Sequence, residues 1–186
     1  MSLLLASGSP RRRELLALIT RDYTVVPSAV DERRIAADSP AHLAGALAVA
    51  KAQAVAAAHP QDVVLGCDTI VDCDGQVFGK PRDEADAARM LRALSGRTHK
   101  VHTGVCVCQG SRKMAAVETT VVQFAPIAEE DLLRYIRTPE PYDKAGAYAI
   151  QGHAALWCTG IAGCYYNIMG LTVHRTAQLL ANFLPL

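Results

Sequence analysis

Short apolar runs alternate with segments of helical spacing along the first half of the chain. Leu3–Ala6, Tyr23–Val26 and Val63–Leu65 are apolar or β-branched runs of three or four residues. Runs of this length, bounded by polar or small residues, are typical of strands that are buried within a sheet. The third run continues through Gly66 to Val71, and the following Asp74-Gly75 pair is a hairpin signal that predicts a return through Val77-Phe78.

Helices are predicted where a capping residue is followed by apolar residues three or four positions apart. Ser9-Pro10 and Ser39-Pro40 each combine a serine N-cap with a proline in the first turn. The first predicts a helix with Leu15, Leu16, Leu18 and Ile19 on its apolar face, and the second predicts an alanine-rich helix that extends to about Ala58. The remaining predicted helices are Asp83–Leu94, which is followed by Gly96, then Ala128–Arg137 and Leu171–Phe183.

The second half of the chain has a more β-like pattern. Val101–Cys108 alternates with a period of two and is expected to turn at 109–111 and to pair with Val117–Phe124. Asp143–Gly152 is predicted to be a loop or a strand, and two short β segments are expected, near 156–158 and 164–166. The whole pattern predicts an α/β fold in which a mixed twisted sheet is flanked by helices.

Composition and charge narrow the choice of function. The chain has 186 residues and a formal net charge of +1, so it suits one domain over 1–186, or two packed lobes that share a core. A charge this small gives no general attraction for nucleic acid or for an anionic membrane. No apolar segment approaches the roughly 20 residues that span a bilayer. The short N-terminal apolar run precedes the arginines, which is the wrong order for a signal peptide and favours a cytoplasmic location. In that setting, the six cysteines, which have no zinc-site spacing, are interpreted as buried reduced thiols.

The loop before the first helix is a candidate phosphate-binding site. Three arginines, 11 to 13, stand at the start of a helix whose N-terminus already carries a partial positive charge. A bound anion would remove this conflict, because the free backbone N–H groups and the arginine forks would both face phosphate oxygens. Ser7, Gly8 and Ser9 form a small loop that a ligand could approach closely. Alternatively, the arginines are solvated surface residues, and they cannot all point in one direction.

Charged and polar residues elsewhere are weaker candidates when each is taken alone. Asp68 ends a buried apolar run, which suits a general base or a metal ligand, although an acid that caps a turn is the alternative. Lys51 interrupts the apolar stripe of its helix and either snorkels to solvent or enters a cleft. Lys80 lies in a Gly-Lys-Pro bend, Glu32 lies in a charged stretch, and Gln151 offers a donor and an acceptor suited to a base edge. The six histidines are scattered, and His99 and His102 have no obvious partner.

Several separate blocks of the sequence, in order, resemble the Maf family of nucleoside triphosphate pyrophosphatases. The matching blocks are LLLASGSPRRRELL, VDER, LAVAKAQAV, LGCDTIV, FGKPRDEADAARMLRALSGRTHKVHTGV, EPYDKAGAYAIQG and YYNIMGL. The resemblance implies a two-lobed α/β fold around a cleft, related in shape to inosine triphosphate pyrophosphatases. It also implies a homodimer and a requirement for Mg²⁺ or Mn²⁺.

The same resemblance implies a role for each candidate residue. Asp68 would be the catalytic base and, with Glu32, a metal ligand. The substrate-binding positions would be Ser7, Ser9, Arg11, Arg12, Lys51, Thr69, Lys80 and Gln151. Within the family, SPRR together with CDT and AIQG is similar to the branch that acts on dTTP and UTP, which makes Arg11, Thr69 and Gln151 the specificity positions.

Three alternatives to this function remain at this point. The nearest is the branch that hydrolyses 7-methyl-GTP, which typically has Trp after Ser-Pro and Gln after the catalytic Asp. The second is a nucleotide-binding regulator of cell division or septum formation without catalysis, against which the four charged positions Glu32, Lys51, Asp68 and Lys80 argue. The weakest is a nucleic-acid-binding protein, because the net charge is near zero and basic residues are not interleaved with aromatic ones.

Overall fold

The computed structural model describes residues 1–185, which form seven strands and six α-helices with short 3₁₀ turns between them. The strands are β1 (Leu3–Leu5), β2 (Thr24–Val25), β3 (Val63–Cys73), β4 (Gln76–Phe78), β5 (Thr98–Gln109), β6 (Arg112–Phe124) and β7 (Cys158–Ala162). The helices are α1 (Pro10–Leu16), α2 (Pro40–Ala56), α3 (Glu84–Leu94), α4 (Glu129–Ile136), α5 (Tyr165–Met169) and α6 (Val173–Leu180). No helix among these residues is both long enough and apolar enough to cross a bilayer.

All seven strands belong to one mixed sheet, as the alternation of apolar runs and helices predicts. The strand order is β2-β1-β3-β5-β6-β7, and β4 pairs with the far end of β3. β1 is parallel to both of its neighbours, with Leu4 opposite Val64 on one side and Thr24 on the other. The β3–β4 and β6–β7 pairs are antiparallel. The predicted α/β fold class is therefore confirmed.

The chain divides into two compact units, and each is built from separated segments. The first unit comprises residues 1–69, 103–118 and the chain from 170 onward, and the second comprises 70–102 and 119–169. Each of the long strands β3, β5 and β6 contributes residues to both units.

In the first unit, α2 packs very closely on the sheet because small residues face each other. Ala44, Ala48 and Ala52 are fully buried on α2. A Cβ at Gly66 of β3 would overlap the carbonyl oxygen of Ala48 and would lie 2.6 Å from the nitrogen of Ala52. Only glycine therefore permits this approach, which brings the backbone of α2 against the strand that carries Asp68.

The second unit has an aromatic core. Phe124 makes edge-to-face contacts with Tyr148 and Trp157 at ring-centroid distances of 4.9 and 6.3 Å. Tyr135 of α4 makes the same type of contact with Trp157 at 5.0 Å. Offset and edge-to-face pairs of this kind stabilise a core beyond the area that they bury, and they hold the rings in defined orientations.

Most of the predicted helices are confirmed to within two residues at each end, but α1 is shorter than its apolar pattern suggests. It ends at Leu16, and Leu18 is 63% exposed, so the predicted apolar face covers only Leu15 and Leu16. The closing helix is also shorter, since α6 spans Val173–Leu180. Ser39 caps α2 as predicted, because its hydroxyl accepts a hydrogen bond from the backbone N–H of His42.

Between 143 and 166, the strand alternative for 143–152 and the two predicted β segments are wrong. Residues 140–143 and 145–147 form 3₁₀ turns, in line with the loop alternative, and Gly146 within the second turn has a φ of +72°, which a strand does not allow. A single strand, β7, replaces the two predicted β segments; Trp157 ends a 3₁₀ turn, and Tyr165 begins α5. Tertiary contacts favour the helical turn at α5, because Asn167 within it donates hydrogen bonds to Val101 O and Thr120 Oγ1.

Candidate active site

A lysine and two carboxylates form the most highly charged cluster of the first unit. Lys51 Nζ lies 2.6 Å from Asp68 Oδ1 and 2.7 Å from Glu32 Oε1. Lys51 comes from α2, Asp68 from β3, and Glu32 from a 3₁₀ turn at Glu32–Arg34. The predicted interruption of the apolar stripe therefore has a structural reason: one ammonium group bridges two acids that are 36 residues apart in sequence.

The two carboxylates of this cluster have different environments. Asp68 is 7% exposed, whereas the side chain of Glu32 is about half exposed. Burial raises the pKa of Asp68, and the positive charges of Lys51 and Arg12 act in the opposite direction. A carboxylate that is desolvated yet held next to a cation is well suited to accept a proton during a reaction.

Arg12 is held in place by three hydrogen bonds to the protein. Its Nε donates to Gly170 O at 2.9 Å, Nη1 donates to Ser7 Oγ at 3.1 Å, and Nη2 donates to Thr69 Oγ1 at 3.1 Å. Ser7 Oγ also accepts a hydrogen bond from the backbone N–H of Ser9 at 3.3 Å. The guanidinium group thus joins the predicted phosphate loop to the residue that directly follows Asp68.

Helical spacing predicts that the three arginines at the start of α1 point in different directions, and their environments differ accordingly. Arg13 is exposed, while Arg11 and Arg12 are partly buried. The backbone carbonyl of Arg13 accepts a hydrogen bond from the Tyr23 hydroxyl. The solvated-surface interpretation therefore applies to Arg13, and Arg12 belongs to the network around Ser7 and Thr69.

Thr103 is a member of this network that sequence reasoning missed. Its hydroxyl lies 3.0 Å from Thr69 Oγ1, and the residue is completely buried. The residue lies in one of the blocks that carry the family resemblance, but a single threonine within a strand has many structural explanations. Only the pairing of strands distant in sequence brings Thr103 next to Thr69.

The two remaining predicted residues, Lys80 and Gln151, lie in the second unit, and both are exposed. Lys80 follows β4, and Gln151 lies in a turn between two 3₁₀ segments. The first unit therefore brings together Ser7, Ser9, Arg12 and Thr69 in one network and Glu32, Lys51 and Asp68 in another. The catalytic and binding roles of all these residues, and those of Lys80, Gln151 and Arg11, stay predictions.

The second unit contains histidines with partners that the sequence did not reveal. His99 Nε2 lies 2.8 Å from the hydroxyl of Tyr148, and burial lowers the pKa of His99 to about 4. His102 lies 2.8 Å from Thr119 Oγ1 and 3.4 Å from Asp72 Oδ2. The sequence offers no obvious partner for either histidine because both lie on β5, where they meet residues from distant segments.

The carboxylates of Glu32 and Asp68 are the type of ligand that a hard divalent cation prefers, and such a cation can also bind substrate phosphates. Glu32 and Asp68 each place one oxygen within 2.7 Å of Lys51 Nζ, so the two carboxylates lie close together around that ammonium group. Residues 1–185 contain no group of three or more His, Cys, Asp or Glu side chains that could enclose a metal. Mg²⁺ is commonly held by one or two carboxylates together with water and substrate phosphates, and this donor set meets that need.

The six free cysteines differ in their burial. Cys67, Cys73, Cys106 and Cys108 are buried, whereas Cys158 and Cys164 are only partly buried. Cys106 and Cys108 lie on the same face of β5 within an apolar cluster that includes Ala48 and Val64. The interpretation as small buried hydrophobic residues therefore holds for four of the six.

Comparisons with known proteins cover almost the whole chain. The family model described as Maf-like protein matches residues 2–183. The chain is 51% identical over 181 residues to a protein of Symbiobacterium thermophilum named dTTP/UTP pyrophosphatase, with 97% of this chain and 93% of the relative covered. A protein of Bacillus velezensis with the same name is 46% identical, with 97% and 96% covered.

Among solved structures, two Ham1 proteins share the fold at low sequence identity. The Ham1 protein of Staphylococcus aureus has a TM-score of 0.57 and 13% identity, with 98% of this chain and 99% of that chain covered. A HAM1 protein from Coxiella burnetii has a TM-score of 0.54 and 15% identity, with 97% and 98% covered. At this level of identity the likeness concerns the fold alone.

Proposed function

The chain belongs to the Maf family, and from that premise we propose that it is a nucleoside triphosphate pyrophosphatase that hydrolyses dTTP and UTP to the monophosphate and pyrophosphate. The observation that carries this proposal is the Lys51 ammonium group held between Glu32 and the buried Asp68. This arrangement supplies a base and a cation at one place, as hydrolysis of an anionic phosphoric anhydride requires.

Asp68 is the general base in this proposal. Its Oδ1 accepts from Lys51, which leaves Oδ2 to take a proton from the attacking water. The water oxygen bonds to the α-phosphorus, the bond from that phosphorus to the bridging oxygen breaks, and pyrophosphate leaves with the electron pair. Lys51 and Lys80 provide positive charge for the leaving group. Base catalysis of this kind contributes about 10²–10⁴-fold to the rate.

Glu32 and Asp68 would hold a Mg²⁺ or Mn²⁺ ion in the working enzyme. When bound, such an ion neutralises phosphate oxygens and polarises the phosphorus centre. The protein's own part is to hold the two carboxylates close together, which Lys51 does through its two ion pairs. Ser7, Ser9, Arg11 and Arg12 are expected to bind the phosphates at the start of α1.

Arg11, Thr69 and Gln151 are expected to select the nucleotide. The relatives described above are named for dTTP and UTP, so the alternative of 7-methyl-GTP is not favoured. A cytoplasmic location and a homodimer are also expected. Sedimentation of the purified protein tests this assembly.

The test of the proposed function is a panel of nucleoside triphosphates with pyrophosphate release as the readout, in the presence of Mg²⁺ and of Mn²⁺. We expect dTTP and UTP to be hydrolysed with the highest kcat/KM. Preference for 7-methyl-GTP would move the chain to the other branch. No pyrophosphate from any nucleotide with either metal would favour a nucleotide-binding regulator of septum formation instead.

A further inference from the structure

The turn that carries Gln151 is anchored on both sides by one pair of side chains. Before Gln151, the backbone N–H of Ala149 donates to the Tyr135 hydroxyl at 3.2 Å. After it, the backbone N–H of His153 donates to Glu140 Oε1 and Oε2 at 3.0 and 3.3 Å. The turn itself is closed by a hydrogen bond from Gly152 N to Ala149 O at 3.0 Å.

The two anchors are themselves joined. The Tyr135 hydroxyl donates to Glu140 Oε1 at 2.9 Å, so one oxygen of Glu140 accepts from both Tyr135 and His153. Tyr135 is 1% exposed, and burial together with the neighbouring Glu140 raises its pKa, which keeps the hydroxyl protonated and able to donate. Its ring contacts Trp157 edge-to-face in the aromatic core of the second unit. A rigid part of the core therefore supports the turn.

The Glu140 side chain also packs closely against the turn. A Cβ at Gly152 would overlap the Glu140 carboxylate, so the carboxylate occupies the space that a side chain would need. Glu140 is fixed at its backbone as well, because its carbonyl oxygen accepts from Lys144 Nζ at 2.7 Å. This contact explains why glycine follows Gln151 and why an acid stands twelve positions before that glycine.

We propose that Tyr135 and Glu140 are positioning residues that orient Gln151 toward the base of the bound nucleotide, an inference that rests on the proposed function. Gln151 itself is exposed, while the backbone on either side of it is held by the Tyr135–Glu140 pair. The pair acts through Gln151 and does not contact the reacting phosphates.

The chemistry of the bases explains why orientation matters for this residue. Uracil and thymine present an acceptor at O4 and a donor at N3, whereas cytosine presents a donor at N4 and an acceptor at N3. A glutamine amide carries both a donor and an acceptor, so a freely turning amide could satisfy either base. Discrimination between UTP and CTP therefore depends on holding the residue in one position relative to the base.

The test compares kcat and KM for UTP and CTP in the wild-type protein, in three single variants and in one double variant. For Tyr135→Phe, which loses both hydroxyl contacts, we expect the ratio of kcat/KM for UTP over CTP to fall about tenfold through KM, with kcat nearly unchanged. For Glu140→Gln, which keeps one acceptor oxygen, we expect a smaller fall of about threefold. Gln151→Ala should lower the ratio as far as Tyr135→Phe, and the Tyr135→Phe/Gln151→Ala double variant should lower it no further.

Tyr142→Phe is the matched control, because the Tyr142 hydroxyl donates to Ile136 O in the same unit and has no bond to the Gln151 turn. It should keep the UTP preference. The inhibition constant of inorganic tripolyphosphate, which has no base, should stay the same in all four single variants. An unchanged ratio in both Tyr135→Phe and Glu140→Gln, or an equal loss in Tyr142→Phe, would overturn the positioning role.

Failure of the proposed function has a different signature in this experiment. It would leave the wild-type protein without pyrophosphate release from any nucleotide, and the positioning role would then fall with it. A wild-type enzyme that hydrolyses UTP while Gln151→Ala keeps full discrimination would overturn the positioning role alone. If Tyr135→Phe lowers the melting temperature strongly, Glu140→Gln decides the result, since it is the same size as the residue that it replaces.

Discussion

The polar groups of the two units are organised in contrasting ways. In the first unit, charged groups pair with one another, with Lys51 between Glu32 and Asp68 at 2.7 and 2.6 Å. In the second unit, the neutral groups around the aromatic core bond to backbone or hydroxyl groups, as Tyr135 does with Ala149 and His99 with Tyr148, while the buried Asp86 pairs with Arg82 and Arg89. The charged set can exchange partners when an anion or a cation binds, whereas the neutral set holds one shape.

This difference suggests that the charged groups bind the triphosphate and that the fixed hydrogen bonds serve the recognition of the base. Ionic groups give strong but weakly directional attraction, which suits a triphosphate with many equivalent oxygens. Hydrogen bonds to fixed backbone groups are directional, which suits the recognition of a base edge. If the proposed function is correct, variants of the charged residues Lys51, Asp68 and Lys80 should alter the chemical step, and variants of the Gln151 turn should alter selectivity.

The largest effect is expected from Asp68→Asn. We expect kcat for UTP to fall by about 10²–10⁴-fold while the nucleotide still binds, because the amide cannot act as a base. Asp72→Asn is a close control: Asp72 is four residues along on β3, is 8% exposed against 7% for Asp68, and belongs to the second unit. It should keep kcat within about threefold. Near-normal turnover of Asp68→Asn would refute the assignment of the base.

The next effect is a decrease in the free energy of unfolding at acidic pH, and it tests whether the buried His99 of the second unit stays neutral in the folded protein. Burial lowers the pKa of His99 to about 4, whereas an unfolded histidine has a pKa near 6.5. Between those two values, the unfolded chain binds a proton that the folded chain does not, so the free energy of unfolding decreases as the pH falls. The total loss is at most about 3 kcal/mol, and it levels off below pH 4.

Urea unfolding of His99→Gln between pH 4 and pH 7 checks this expectation. In that window, the slope of the free energy of unfolding against pH should be smaller in the variant by up to the contribution of one proton, whatever the variant's stability at pH 7. The exposed His174 offers a control, since His174→Gln should leave the slope unchanged. A slope in His99→Gln equal to that of the wild type would show that another group is responsible.

Arg12→Lys separates charge from geometry in the first unit. Lysine keeps the positive charge but cannot reproduce the three bonds to Ser7, Thr69 and Gly170. We expect kcat/KM for UTP to fall about tenfold, which corresponds to about 1.4 kcal/mol and to the loss of one or two hydrogen bonds. The exposed Arg13 provides the comparison, because Arg13→Lys should change kcat/KM less than about twofold. Equal effects of the two substitutions would mean that only charge matters.

The smallest effect is expected from a change in ionic strength. This experiment compares the proposed phosphate binding by the first unit with the proposed base selection by the second unit in the wild-type protein. Between about 0.05 and 0.5 M ionic strength, screening should lower kcat/KM for UTP and CTP by the same few-fold factor, since both carry the same triphosphate. The ratio of the two should stay within about twofold, because hydrogen bonds to fixed backbone groups are much less sensitive to salt. A ratio that follows the salt concentration would contradict the proposed separation of charge and shape.

Local signals in the sequence predict the early part of the fold well. Ser39-Pro40 marks the start of α2 correctly, and Val63–Leu65 lies within a strand that continues to Cys73 and is buried at every position except Thr69. Capping chemistry and apolar runs act between near neighbours, so a sequence carries them directly. The segment from 143 to 166 lacks such signals, and there contacts such as those of Asn167 with Val101 and Thr120 decide the structure.

The candidate site shows the same division. Asp68 stands out because a carboxylate follows a buried apolar run, and the arginines stand out because they oppose the helix dipole. The sequence gives no comparable signal for Thr103 or for the Tyr135–Glu140 pair, since threonine, tyrosine and glutamate are common in strands and helices. Their roles arise only from partners 34, 14 and 13 residues away.

The amino-acid sequence alone determined which groups with the right charge this protein possesses, together with the α/β class of its fold, because both follow from residue type and local spacing. Tertiary structure alone decided which of these groups meet. Lys51 lies between Glu32 and Asp68 because Gly66 lets α2 approach β3 closely, and Gln151 is supported from an aromatic core. Such meetings depend on packing between distant segments, which the order of residues along the chain does not specify locally.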